Sequence, residues 1–336
     1  MKIKIASILF CICIPICFVA DIVFGSVQVP LQSCIDVLRG NETDTLWYNI
    51  IMNLRLPRAI AAILAGMALP VSGLLMQTLF RNPLADPYVL GVSTGASLGV
   101  ALFSLSGGAA VAAWSWIAGS VGVAISALIG STIVIFFILS VATKVRENAS
   151  LLIIGIMLGS ITAAIVNVLQ YFSKPDEVHN FLLWTMGSFS NIGTTELTLM
   201  ACCIIPTVIA TLALHKPLDA ILLGDNYARG LGVKTDVLRV IVIILSAILA
   251  AIVTAFAGPI GFVGMTVPHV ARFLCKSDNH KSLIINSVLI GINLLLICDL
   301  ISQLPGMQSM LPINTVTAIF GAPIVILVIY KGRRRG

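Results

Sequence analysis

The chain has 336 residues, 58% of them hydrophobic and 10% charged, with a formal net charge of +6 and a mean hydropathy of +1.06. These values exclude a soluble globular domain even with a large core. They point to an integral membrane protein in which apolar stretches on the ~20-residue scale of a bilayer core recur along the whole length.

Taken in chain order, apolar segments predict helices near 5–24, 58–80, 93–107, 111–142, 150–171, 194–214, 236–257, 265–276, 282–303 and 313–330, an all-α polytopic protein with about ten transmembrane helices. Pro87 to Thr143 and Leu300 to Tyr330 contain no Asp, Glu, Lys or Arg. The first segment follows Lys2 and Lys4 as a signal peptide would. Phe18-Val19-Ala20, however, sets a bulky residue where cleavage needs a small one, so it reads as an uncleaved span. The segments at 93–107 and 265–276 are shorter than the ~17–25 residues of a full crossing and are expected to be partial or buried among neighbours. Residues 1–336 read as one transmembrane domain, and 215–235 is its longest cytoplasmic stretch when the N-terminus is placed in the cytoplasm.

Placing the N-terminus in the cytoplasm puts sixteen of the twenty Lys and Arg on the inner side and leaves Arg39, Arg55, Arg58 and Lys174 outside. That asymmetry supports an even number of spans with both termini cytoplasmic. The same topology sends Trp47, Trp114, Trp116 and Trp184 to outer ends or outer loops, where an indole suits the interface. The positive charge therefore calls for no nucleic-acid partner.

Several segments depart from a simple row of spans. Gly91, Gly95 and Gly99 repeat a four-residue spacing that lets helix backbones touch, and Gly155 with Gly159 repeats it again. Residues 215–235 predict two short helices. Pro217 opens the first with Asp219 in its opening turn, and Gly224 ends it. Asp225 caps the second, which stops at Gly230 and Gly232. Ile221, Leu222 and Leu223 form an apolar patch flanked by charges of both signs, favouring a docking surface over a helix lying on lipid headgroups, which would be mainly basic. Residues 258–273, Gly-Pro-Ile-Gly-Phe-Val-Gly-Met-Thr-Val-Pro-His-Val-Ala-Arg-Phe, place three glycines and two prolines in a run free of Asp, Glu, Lys and Arg from Val240 to Ala271. Backbone so interrupted is tolerated at membrane depth only where protein or a water-lined cavity satisfies its freed groups, which points to a pathway rather than an anchor.

On the outer side, Arg55-Leu-Pro-Arg58 precedes the second span. Its arginines serve either as interface anchors or as partners for acidic groups on another protein. Asp299 stands near the outer end of the ninth span, beside few other polar groups at depth: Gln77, Asn167, Gln170, Asn286 and Asn293. It is either a proton carrier or an acceptor for a neighbouring helix N-terminus, and one carboxylate falls short of the relay that a proton-coupled carrier uses. No P-loop, His-Glu-x-x-His or Gly-x-Ser-x-Gly motif is present, so ATP hydrolysis and these catalytic chemistries are not encoded here. The eight cysteines include no Cys-x-x-Cys pair and read as small hydrophobes. No cofactor or metal is expected, and an intramembrane enzyme is the most distant reading.

The chain resembles the FecCD-type permeases, the membrane subunits of ATP-binding-cassette importers for iron siderophores, haem and vitamin B12. The likeness covers nearly the whole chain. It is carried by Arg-Leu-Pro-Arg at 55–58, Gly-Leu-Leu-Met-Gln-Thr-Leu-Phe-Arg-Asn-Pro-Leu-Ala-Asp-Pro-Tyr-Val-Leu-Gly-Val-Ser-Thr-Gly-Ala at 73–96, Gly-Pro-Ile-Gly-Phe-Val-Gly at 258–264, Pro-His-Val-Ala-Arg at 268–272 and Gly-Ala-Pro at 321–323. The resemblance implies ten helices per subunit and a homodimer with the pathway at its two-fold interface. It further implies two cytoplasmic ATPase subunits and an extracytoplasmic substrate-binding protein, in a bacterial plasma membrane. It makes 217–232 the element that couples to the ATPase, with Asp219, Leu222, Gly224, Arg229, Gly230 and Gly232 as its matching positions, and it assigns Arg55 and Arg58 to binding-protein docking. Pathway or gate residues are expected in the broken segments: Asn82, Pro83, Pro87, Gly91, Gly95, Gly258, Pro259, Gly261, Gly264 and Pro268. Ser302-Gln303 stands where many relatives carry a basic residue, and Met310-Leu-Pro-Ile-Asn314 where many have Glu-Leu-Pro, an apolar residue and Gly, so the outer docking surface is expected to differ.

The function expected is translocation of an iron chelate, a ferric siderophore, driven by a separate ATPase subunit. Haem or cobalamin on the same architecture is the alternative cargo, and an ion-coupled secondary carrier is the alternative of another class.

Overall fold

The computed structural model describes residues 2–25, 27, 29–40, 45–105, 120–142, 144–145, 148–275, 279–303 and 310–332, and the regular elements among them are all helices, with no strand. The elements are α1 (Lys2–Val23), α2 (Leu31–Arg39), α3 (Thr45–Asn49), α4 (Leu56–Phe80), α5 (Val92–Ser104), α6 (Ser120–Ala142), α7 (Asn148–Phe172), α8 (Pro175–Thr185), α9 (Thr194–Ala213), α10 (His215–Leu222), α11 (Asp225–Gly230), α12 (Thr235–Ala257), α13 (Val263–Cys275), α14 (His280–Ser302) and α15 (Ile313–Gly332). A π turn, Ile50–Arg55, joins α3 to α4, and a short 3₁₀ turn, Pro87–Leu90, precedes α5.

Among the described residues, six stretches are long and apolar enough to cross a membrane: Thr45–Phe80, Val121–Ala142, Ala149–Phe172, Thr194–Ala213, Thr235–Ala257 and His280–Ser302. Ser7–Val23, Val92–Ser104 and Ile313–Leu327 are shorter apolar helices. Each of the ten predicted segments contains a helix. Trp114, Trp116 and the first residues of the segment predicted at 111–142 lie outside the described residues, as do Arg333, Arg334 and Arg335. The two segments predicted to be short are α5 and α13, each of 13 residues. Helices α2, α3 and α8 had no counterpart among the predicted spans, because amphipathic segments of 9, 5 and 11 residues carry no span-length apolar signal.

α4 is the axis of the molecule. Within the stretch Thr45–Phe80 the most apolar window is 83% buried, against 22% for Ala149–Phe172. It packs against α9, α12, α13 and α14. Small residues make this possible: a methyl group at Gly73 would overlap the Gly264 carbonyl of α13, and one at Gly66 would meet the Gly291 carbonyl of α14 at 2.7 Å. α5 meets α6 in the same way, Gly95 lying against the Gly130 carbonyl and Gly99 against that of Ser126. Gly159 has only ordinary contact, with Thr94 at 3.6 Å, so the same spacing does not bring a neighbour's backbone against every glycine.

Candidate functional site

Three constellations stand along the axis of α4. The first is at its C-terminal end, where α10 and α11 form a helical hairpin between α9 and α12. Gly224 takes φ +114 and Gly232 φ +84, conformations that L side chains rarely adopt, so glycine is needed at both turns. The hairpin departs from prediction in two details. Gly224, not Asp225, occupies the cap position of α11, and the Asp225 carboxylate turns to Arg81 instead. Ile221 is 5% exposed and joins Leu218, Leu75 and Leu79 in one buried cluster, while Leu223 is 67% exposed. The outward apolar face is therefore Leu222, Leu223, Tyr227 and Leu231. Arg229 donates to Thr235 Oγ1 at 2.8 Å and meets Asp236 at 3.4 Å, which ties α11 to the start of α12.

Four contacts fasten this hairpin to the bundle. Asp219 Oδ1 accepts the backbone N–H of His280 at 2.8 Å and lies 2.7 Å from its ring Nδ1. Ring Nε2 stands 2.8 Å from Thr78 Oγ1 on α4. One turn later Arg81, at φ +47, donates to the Ile221 carbonyl at 2.9 Å and to Asp225. A cavity of about 720 Å³ opens beside these contacts, lined by Arg81, Asp219, Leu222, His269, Arg272 and His280 among others.

The second constellation lies midway, where the two broken segments meet. Asp86 accepts the Tyr88 N–H at 2.9 Å and so caps the 3₁₀ turn that begins at Pro87 and closes at Gly91, φ +83. The Tyr88 hydroxyl accepts the Ile260 N–H at 3.2 Å, and Thr254 Oγ1 lies 3.4 Å away. Gly258, at φ +74, packs against the Trp184 carbonyl and Gly187, and Ser188 N–H donates to the Ala257 carbonyl at 2.8 Å. Gly261 N–H donates to Asn314 Oδ1 at 2.9 Å, and Pro259 presents its carbonyl toward Gly187. Gly264 contacts Gly73, while Pro268 is buried inside α13. Asn82 Oδ1 accepts Leu84 N–H at 3.0 Å, and the Pro83 carbonyl lies 2.6 Å from His269 Nε2. Gln77 links α4 to α13 by donating to the Met265 carbonyl at 3.0 Å and accepting from Arg272 at 2.6 Å. The interrupted backbone thus finds its partners in protein, as a break at membrane depth requires.

The third constellation is at the N-terminal end of α4. Arg58 is 5% exposed and grips Asp299, 0% exposed, through Nε at 2.9 and 2.7 Å and Nη2 at 2.7 Å. The same guanidinium donates to Ser190 at 2.9 Å and Ser302 at 2.6 Å and touches the Met310 sulfur. Arg55, 6% exposed, donates to the carbonyls of Ile22, Val23 and Val27 where α1 ends. The two arginines expected to serve docking have both guanidinium groups turned inward and held by the chain's own acceptors. Asp299 is likewise neither a lone relay group nor the acceptor of a helix N-terminus. Ser302 and Gln303, expected to alter an outer surface, are buried in this network, with Gln303 Nε2 bridging Asp21 at 3.1 Å and Asp299 at 2.9 Å. Two neutral donors thus attend Asp299.

Residues 12–331 match the profile of the FecCD transport family. The chain belongs to that family. Curated relatives include the vitamin B12 import system permease protein BtuC of Klebsiella pneumoniae subsp. pneumoniae, 33% identical over 286 residues that cover 85% of this chain and 84% of the relative. The proteins of the same name from Salmonella paratyphi A and Escherichia coli O9:H4 are 34% and 33% identical over 284 residues, in each case 84% of both chains. Among solved structures, an inward-facing conformation of a putative metal-chelate type ABC transporter superposes with a TM-score of 0.84 at 28% identity, covering 98% of this chain and 99% of that one. PsaBC from Streptococcus pneumoniae, in complex with Fab, gives a TM-score of 0.54 at 13% identity, a likeness of fold alone.

In this FecCD-family chain, residues to which sequence reasoning gave no such contacts complete each constellation. Thr78, Arg81 and His280 hold the hairpin; Tyr88 and Asn314 join the broken segments; Asp21, Ser190 and Ser302 surround the arginine. The signals available were slight. Arg81 and Tyr88 sit inside the long motif at 73–96, and Asn314 closes the Met310-Leu-Pro-Ile-Asn314 stretch, but nothing local announces partners 53 to 282 residues away.

Proposed function

We propose that the chain is the permease subunit of an ATP-binding-cassette importer for a bulky metal chelate. It works as a homodimer in a bacterial plasma membrane, with two cytoplasmic ATPase subunits below and an extracytoplasmic binding protein above. The observation that carries this reading is the α10–α11 hairpin, which exposes Leu222, Leu223, Tyr227 and Leu231 on a mount tied to the central helix. An exposed apolar patch with charges of both signs around it fits a protein partner better than lipid. Family membership and the absence of a P-loop in the sequence make an ATPase the partner of choice.

Motion of that hairpin is conveyed by α4 to the broken segments 82–92 and 258–268, which open or seal the route while helices move as rigid bodies. A lining of small and apolar residues lets a large cargo leave, and selectivity is left to the binding protein. Relatives named for vitamin B12 and a neighbour described as metal-chelate type support a metal chelate as cargo, with cobalamin the first to test and ferric siderophores the second.

Reconstitution in proteoliposomes with the cognate ATPase and binding protein tests the reading, using labelled cyanocobalamin and a ferric siderophore in parallel. Uptake is expected to cease with a hydrolysis-dead ATPase. Uptake that persists, or that follows a proton or sodium gradient, rejects the importer in favour of a secondary carrier. Leu222→Glu with Arg229→Glu is expected to raise the ATP hydrolysed per cargo molecule, and an unchanged ratio counts against the hairpin as the coupling surface.

A further inference from the structure

We infer that the Asp219–His280–Thr78 bridge, seconded by Arg81, is the link that transmits displacement of the α10–α11 hairpin to α4, which makes Thr78 and His280 positioning residues for transport. The inference rests on the reading of that hairpin as the ATPase-facing element and names the parts through which it acts.

The bridge joins three elements through one buried ring. His280 is 1% exposed and opens α14, whose Asn279 cap accepts the Lys281 N–H at 2.9 Å. An ionised Asp219 has no proton to give, so Nδ1 carries the hydrogen of the 2.7 Å contact, and the same oxygen also holds the His280 backbone amide. Nε2 reaches Thr78 Oγ1, which also lies 2.8 Å from the Leu74 carbonyl of the preceding turn. The imidazole is thus held at both nitrogens between the hairpin and the last turns of α4. Arg81 fixes the hairpin to the same helix three residues on, through Ile221 and Asp225.

Two physical differences separate this linkage from ordinary packing. The apolar contacts of Leu218 and Ile221 resist separation but are non-directional, so they tolerate sliding along the helix. Hydrogen bonds weaken steeply with misalignment, so a bridge fixed at both ring nitrogens carries displacement in a defined direction. Beyond Thr78 the path stays stiff. Gly73 touches Gly264 and Gly66 touches Gly291 backbone to backbone, with no pliable side chain between. A push on Asp219 therefore reaches α13 and the junction at 258–264 through α4. A Thr78 whose only task was to stabilise its own turn would not need the ring of His280.

The test uses the full complex with its ATPase and binding protein in proteoliposomes and measures ATP hydrolysed per cyanocobalamin taken up. Thr78→Val, which deletes the hydroxyl and keeps the shape, is expected to raise that ratio by about 2- to 30-fold, the range reported for residues that carry coupling between sites. Thr78→Ser is expected to restore the wild-type ratio. Asp219→Ala, at a side chain 34% exposed and so tolerant of truncation, is expected to match Thr78→Val, and the double variant to be no worse than either alone. An unchanged ratio in Asp219→Ala or Thr78→Val overturns the linkage, as does loss of ATPase co-purification, which would make these residues part of the docking surface. The wild-type complex with a hydrolysis-dead ATPase separates the two levels: uptake there refutes the importer itself, whereas a coupled wild type with coupled variants refutes only the bridge.

Discussion

Asp299 and Arg58 show what burial does to a charged pair. Removing both from water is costly, and the mutual attraction offsets that cost only because the geometry is bidentate and Ser190, Ser302 and Gln303 fill the remaining positions. Truncating one partner strands the other. Asp299→Ala is expected to destabilise the purified protein by about 3–5 kcal/mol, while Arg58→Met with Asp299→Leu recovers much of the loss because neither member of the pair is left stranded. Thermal unfolding in detergent checks the order, and a single variant no worse than the double would contradict it. The sequence placed Arg55-Leu-Pro-Arg58 and Asp299 at the same end of the bundle. Their pairing was illegible because the partners are 241 residues apart and each was consistent with a surface role.

At the scale of elements, glycine position decides how closely helices approach. The spacing at 91, 95 and 99 was read from the sequence as a close-packing signal, and Gly95 and Gly99 do meet α6, yet Gly159 of the equally regular 155–159 pair makes no such contact. Spacing states that a face is smooth, and only the neighbour's position states what lies on it. Gly73, inside the long motif, has the tightest requirement. Gly73→Ala is expected to cost about 1–3 kcal/mol by forcing α4 away from α13. Gly159→Ala, where the nearest atom stands at 3.6 Å, is expected to be neutral or to stabilise by up to about 1 kcal/mol through helix propensity. Parallel thermal unfolding of the two variants reads the difference, and equal losses would contradict the packing argument. The two short helices at 215–230 were likewise legible from Gly224, Gly230 and Gly232, but which residues they bury was not. Ile221 turns inward because α4 lies on that side.

At the scale of the whole molecule, orientation decides whether the hairpin can meet a cytoplasmic motor. The distribution of Lys and Arg predicts that the hairpin and both termini lie on the inner side. In a variant lacking the eight native cysteines, a cysteine replacing Leu223 is expected to react with an impermeant maleimide in inside-out vesicles only, and one replacing His179 in right-side-out vesicles only. Labelling of Leu223→Cys from the exterior would refute the topology and the coupling reading with it.

Composition and apolar runs determined by themselves that this is a helical membrane protein with short elements beside its full spans, because the bilayer imposes a length and a polarity that a linear pattern records directly. Ordered motifs determined the family for the same reason, since they are read residue by residue along the chain. Only the tertiary structure decided that Arg55 and Arg58 point inward, that the two broken segments meet at Tyr88 and Asn314, and that the hairpin is tied to α4 through His280. Each of these is a contact between residues far apart in sequence. A hydrogen bond or ion pair depends on distance and direction in space, which periodicity along the chain does not contain.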